Sequence, residues 1–178
     1  MIYFFTPFSF QLDLGSMYNH YCQLVPNDED WICMIDHDVN FLNTRTAYQI
    51  QDITRKYPET GLFTCVTNRV GNPHQCYKKE LSMNPDINYH KDIADKLMQE
   101  QYLTVIESKR VISGLLMVFK KSTWKKVGGF KPGILTVDND FSQKIMSKGL
   151  KVQIMIGVYV FHYYRLKEGK KYIKHLIK

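Results

Sequence analysis

"DWICMIDHDVNFL", Asp30 to Leu42, carries five consecutive apolar residues, Trp31 to Ile35, that break onto Asp36-His37-Asp38. An uninterrupted apolar run of that length, bounded by polar residues, predicts a strand buried on both faces, as in sheets covered by helices. Two carboxylates at its end repel each other and lose hydration unless something offsets their charge. On extended backbone, residues two apart point the same way, so Asp36 and Asp38 are expected to converge, and a divalent cation neutralises both. The plainer use of an aspartate at a strand exit is to cap a turn, which explains one such residue better than two. In open α/β sheets, ligands bind beyond the carboxyl ends of the strands, where this pair sits.

Working outward, "IYFFTP" (Ile2 to Pro7) reads as a short strand ended by proline. Leu14, Met17, Tyr18, Tyr21 and Val25 fall at helical spacing. After the opening stretch, Asn43 or Thr44 is placed to cap a helix with Ala47, Ile50, Ile53 and Tyr57 on one face. "GLFTCVTNRV" predicts a third strand, the polar run from Gly71 to His90 a loop, and residues 92–107 a helix. "VISGLLMVFKK" predicts a strand, "STWKKVGGF" a short helix closed by glycine, and "DNDFSQKIMSKG" a helix capped by Gly149. Strands follow in "LKVQIMIGVYVFHYYR". This alternation of strands and helices is the signature of an α/β protein.

With 178 residues, the chain suits a single domain with a proper core. The four cysteines, Cys22, Cys33, Cys65 and Cys76, form no Cys-x-x-Cys pair and read as apolar fillers in a reducing compartment. No apolar run is long enough to span a bilayer and no leader pattern opens the chain, so a soluble, cytoplasmic protein is expected. The net charge of +7 favours an anionic partner such as a nucleoside diphosphate or a lipid headgroup. Much of the excess lies in "RLKEGKKYIKHLIK", residues 165–178, a basic stretch whose Tyr172, Ile173, Leu176 and Ile177 suit an amphipathic helix able to touch the inner face of an anionic membrane. The basic residues are not interleaved with aromatics in a nucleic-acid-binding pattern, so no nucleic-acid partner is expected.

Two further constellations carry chemistry. Asp138 and Asp140 open a predicted helix, where they serve either as caps or, ionised, as a general base. His162 has the parity of Val152, Ile154, Ile156, Val158 and Val160 and sits at a strand end, so it is either a core histidine or a ligand converging on Asp36 and Asp38. Imidazole with carboxylates suits Mn²⁺ somewhat better than Mg²⁺, with either allowed.

Taken in order, "WICMIDHDVNF", "ISGLLMVFKKSTWKKVGGF", "VDNDFSQKIMSKGLKV" and "VYVFHYYR" resemble glycosyltransferases of the GT-A fold, closest to family 2 of the nucleotide-sugar transferases. The resemblance implies a single GT-A domain over residues 1–164, with a mixed central sheet flanked by helices, followed by the basic tail. It implies a transfer of sugar from a UDP- or GDP-sugar to a hydroxyl of a glycan or lipid-linked acceptor, with inversion. By position, Asp36, Asp38 and His162 would hold the divalent ion, and Asp138 would be the base, with Asp140 as its substitute. Gly114 would leave room for the sugar, Gly128, Gly129 and Phe130 would border the acceptor, and Thr6, Pro7 and Asn19 would lie near the nucleotide.

Arg165 and Lys167 are candidates to close over the phosphates. Asn68, Arg69 and Gln75 are candidate donor contacts from residue type alone, weighed against a plain surface loop. The chain departs from the family pattern in a shortened segment before Asp36 and in Val137, which stands where an acidic residue often precedes the base. Two other readings remain: a transferase-like module that binds nucleotide or polyanion without chemistry, and a haloacid-dehalogenase-type phosphatase. The latter usually has Thr or Val where this chain has Asn40.

Overall fold

The computed structural model describes residues 1–163. Arg165, Lys167 and the basic tail 165–178 lie outside the described residues. In chain order the elements are β1 (Ile2–Phe5), α1 (Leu14–Leu24), β2 (Trp31–Ile35), β3 (Val39–Phe41), α2 (Thr46–Lys56) and β4 (Leu62–Thr67). Two 3-10 turns precede α3 (Ile87–Glu100), and β5 (Val105–Glu107), β6 (Leu116–Lys120), α4 (Lys121–Val127), α5 (Val137–Ser147) and β7 (Val152–His162) complete the described residues. The strands hydrogen-bond in the order β1-β2-β6-β4-β7-β3, with β5 also on β7. β1 runs parallel to β2, while β2–β6, β4–β6 and β3–β7 are antiparallel, so the α/β expectation holds with a mixed sheet. Among the described residues no helix is long and apolar enough to cross a membrane.

The chain forms two compact units. The first comprises Met1–His37, Tyr57–Thr64 and Glu107–Gln153. All five residues of β2 are buried, as the apolar run predicts. Helix α1 starts where the Asp13 carboxylate accepts the Ser16 N–H at 3.1 Å, and it buries Tyr18 and Cys22 one turn apart. Val137, Phe141 and Ile145, at helical spacing on α5, pack into the same core with Phe119 and Phe130. The Phe130 and Phe141 rings stack at 3.9 Å between centroids.

Gly128 and Gly129 both have positive φ, 79° and 71°, which ends α4 and turns the chain toward Phe130. Asn19 holds that turn. Its Oδ1 accepts the Phe130 N–H at 2.9 Å and the Trp124 indole N–H at 2.8 Å, and its Nδ2 donates to the Phe130 carbonyl at 2.8 Å. Both ends of the Asn19 amide, expected near the nucleotide, are thus bonded to the turn. The Phe130 side chain likewise belongs to the core rather than to an acceptor surface. Asn19→Ala is expected to lower stability by roughly 2–3 kcal/mol, since it strips partly buried groups of their partners. Urea denaturation checks this.

Among the described residues, the second unit comprises Asp38–Lys56, Cys65–Ile106 and 154–163. Its core joins Ile93, Ala94 and Leu97 of α3 to Val66, Ile154 and Tyr159. Helix α3 begins earlier than the periodicity predicts, because the Asp86 carboxylate caps it by accepting the Asn88 N–H at 2.9 Å. His90, on its first turns, is fully buried and satisfied: Nε2 donates to the Asn84 carbonyl at 2.8 Å and Nδ1 accepts the Tyr159 hydroxyl at 2.6 Å. All four cysteines are buried and none is in a disulfide, as expected of apolar fillers.

Candidate functional site

The backbone from Asp36 to Asp38 is not the extended strand that the sequence predicts. Strand β2 stops at Ile35, His37 and Asp38 form a tight turn, and the chain re-enters a strand at Val39. That second strand decides where Asp38 goes. In the second unit, Val39 pairs with His162, and the Tyr163 N–H donates to the Asp38 carbonyl at 2.9 Å. The same register sets the His162 Nε2 at 3.3 Å from an Asp38 carboxylate oxygen, although the two residues are far apart in sequence.

The other face of the imidazole explains what that contact is for. His162 Nδ1 lies 3.0 Å from the Arg69 carbonyl oxygen, which can only accept, so Nδ1 carries the proton. That leaves Nε2 as the ring nitrogen turned to the Asp38 carboxylate. Metal-binding histidines are oriented in this way, with the remote N–H on a backbone carbonyl. Asn68 fixes the strand itself, its Oδ1 accepting the His162 N–H at 2.8 Å and its Nδ2 donating to the His162 carbonyl at 3.2 Å. Asn68, Arg69 and Gln75 are fully buried, so the surface-loop alternative is corrected for all three. Asn68 positions His162 through its side chain and Arg69 through its carbonyl.

In the first unit, Asp36 lines a cavity of about 130 Å³ together with Tyr18, Gly114 and Asp138, against an apolar wall of Leu14, Ile134 and Val137. The Tyr18 hydroxyl donates to Asp36 Oδ1 at 3.3 Å. Asp138 does not serve as a simple helix cap: its Oδ2 accepts the Gly114 N–H at 2.7 Å and its Oδ1 accepts the Asn139 N–H at 2.8 Å. A Cβ on Gly114 would lie 2.5 Å from the Asp138 Cβ, so the space beside this glycine is what lets the carboxylate approach. Asp140, one residue pair further on, is held by Lys144 at 2.8 Å. Thr6 is exposed and Pro7 buried just past β1.

Burial is the main influence on Asp138 and raises its pKa above the ordinary 3.8, opposed by the Asn139 and Gly114 N–H groups and by the Lys131 charge. Burial, followed by the Asp36 and Asp138 charges, also raises the Tyr18 hydroxyl, which stays protonated. A carboxyl whose pKa is raised by folding adds stability below its unfolded value, and that contribution is lost as pH rises through the folded value. The stability of the native protein relative to Asp138→Asn is therefore expected to fall as pH rises from below 3.8 toward neutrality. Thermal melts of both proteins across that range check the sign.

No family model and no curated protein matches this chain. The functional reading thus rests on the residues themselves. Tyr18 is the site residue that sequence reasoning missed, since its helical spacing marked it only as core. A buried tyrosine hydroxyl needs a polar partner, and that was the available signal.

Proposed function

We propose that the protein is a metal-dependent glycosyltransferase that moves a sugar from a UDP- or GDP-sugar to an acceptor hydroxyl. The observation that carries this reading is the His162 imidazole, oriented by the Arg69 carbonyl so that its Nε2 meets the Asp38 carboxylate. The donor set, one imidazole and carboxylates from a strand end, fits a hard or borderline divalent ion, Mn²⁺ or Mg²⁺. Asp38 and His162 would hold it, with Asp36 two residues back along the chain. When bound, the ion offsets charge developing on the leaving nucleoside diphosphate.

The chain's own groups do the rest. Asp138, raised in basicity by burial, accepts the proton of the acceptor hydroxyl as that oxygen attacks the anomeric carbon. The Gly114 and Asn139 N–H groups fix the carboxylate so that little reorganisation accompanies proton transfer. The Tyr18 hydroxyl holds Asp36 and remains a hydrogen-bond donor throughout. Single displacement at an oxocarbenium-like centre gives inversion of configuration.

A thermal-shift screen of UDP- and GDP-sugars, each with and without Mn²⁺, tests the reading. Mn²⁺-dependent stabilisation with slow release of nucleoside diphosphate supports it. Stabilisation without hydrolysis or transfer points instead to a nucleotide-binding module. Turnover of a phosphate ester in the absence of any sugar nucleotide replaces it with a phosphatase.

A further inference from the structure

The wall of the Asp138 cavity that carries no polar group leads onto an apolar surface. Ile134 both lines the cavity and is 48% exposed, and its neighbour Leu135 is 78% exposed. This loop is stapled to the one before α1: the Gly133 N–H donates to the Asp13 carboxylate at 2.7 Å and the Gly15 N–H to the Gly133 carbonyl at 2.9 Å. The partner loop curls on itself, the Asp13 N–H donating to Ser9 Oγ at 2.9 Å, and within that turn Phe10 and Leu12 stand 88% and 66% exposed. Phe8 packs edge-on against Phe10 at 4.8 Å between centroids instead of turning into the core. Leucine and phenylalanine side chains so exposed, on two adjoined loops, mark a surface that is covered in use.

Resting on the transferase reading above, we infer that the acceptor is an uncharged amphiphile, a hydroxyl head on an apolar body, whose head enters the cavity and whose body lies over Ile134, Leu135 and Phe10. Two observations select this occupant over the alternatives. A free sugar is polar all round and gains nothing from covering Leu14, Ile134, Leu135 and Phe10. A phosphate-headed amphiphile would bring its anion against the Asp138 carboxylate, the proposed base that lines the cavity, which repels it. In the step itself the acceptor oxygen bonds to the anomeric carbon as the bond from that carbon to the diphosphate oxygen breaks. The bonding pair leaves with the nucleoside diphosphate, and the hydroxyl proton passes to Asp138.

Equilibrium binding of octyl β-D-glucoside below its micelle concentration, glucose and octyl phosphate, followed by NMR shifts of the whole protein, tests the inference without turnover. The expected result is saturable binding of octyl glucoside, with glucose and octyl phosphate each weaker by about tenfold or more. Leu135→Ser and Phe10→Ser, both at exposed positions that leave the core intact, are expected to weaken octyl glucoside to the level of glucose. Equal binding of glucose, tighter binding of octyl phosphate, or unchanged affinity in both variants overturns the amphiphile. Loss of the amphiphile with Mn²⁺-dependent sugar-nucleotide hydrolysis intact overturns this inference and leaves the transferase standing. Octyl glucoside bound in a protein that neither binds nor hydrolyses sugar nucleotides does the reverse.

Discussion

Asp138→Asn is expected to reduce sugar transfer by about 10²–10⁴-fold while leaving the affinity for Mn²⁺ and sugar nucleotide within about twofold, the signature of losing a general base alone. The substitution removes the proton acceptor and keeps the shape. Asparagine retains one oxygen for either the Gly114 or the Asn139 N–H, so the cavity is perturbed at one hydrogen bond and not emptied. Steady-state transfer kinetics beside calorimetric donor binding separate the two effects. A loss of donor binding equal to the loss of transfer would place Asp138 with the donor and remove it from proton transfer.

Asp38→Ala is expected to weaken Mn²⁺ binding by at least about 100-fold, more than the 10–100-fold typical of losing an outer partner of a metal site. The reason is electrostatic as well as geometric. His162 Nε2 faces that carboxylate at 3.3 Å, and without it the imidazole loses the anionic partner that would share an ion with it. Electron paramagnetic resonance of free Mn²⁺ during titration reads the affinity directly, whatever the reaction. Unchanged uptake in Asp38→Ala would move the ion elsewhere.

How much of this was legible in the sequence follows from the range over which each feature is determined. The buried strand Trp31–Ile35, the helix Leu14–Leu24 and the glycine-terminated helix Lys121–Val127 were readable because their signals are local: an apolar run, a 3.6-residue stripe, a left-handed cap. The strands Val39–Phe41 and Val105–Glu107 were not, since three residues show no period. Helix α3 was placed several residues late because its cap, Asp86, sits in a polar stretch that reads as loop. Asp36, Asp38, Asp138 and His162 could be nominated from residue type at element ends. What each one touches could not be.

Asn68 and Arg69 show why. Their polar character predicts a surface loop, yet both are fully buried, and the Asn68 side chain finds its partner 94 positions away at His162. Asn19 shows the same effect in reverse, its amide satisfied by a turn 111 positions downstream. Polar residues whose partners are that distant look like free site residues until the fold is known.

The central claim is that Asp38 and His162 hold a divalent cation for a nucleoside diphosphate. Imidazole NMR of the protein with UDP, during addition of Mn²⁺ well below one equivalent, tests it most directly. Selective broadening of the His162 ring resonances, with those of His20 and His74 left sharp and the effect absent in Asp38→Ala, is the predicted result. A His162 signal that stays sharp while Mn²⁺ binds elsewhere, or that broadens equally in Asp38→Ala, would contradict it.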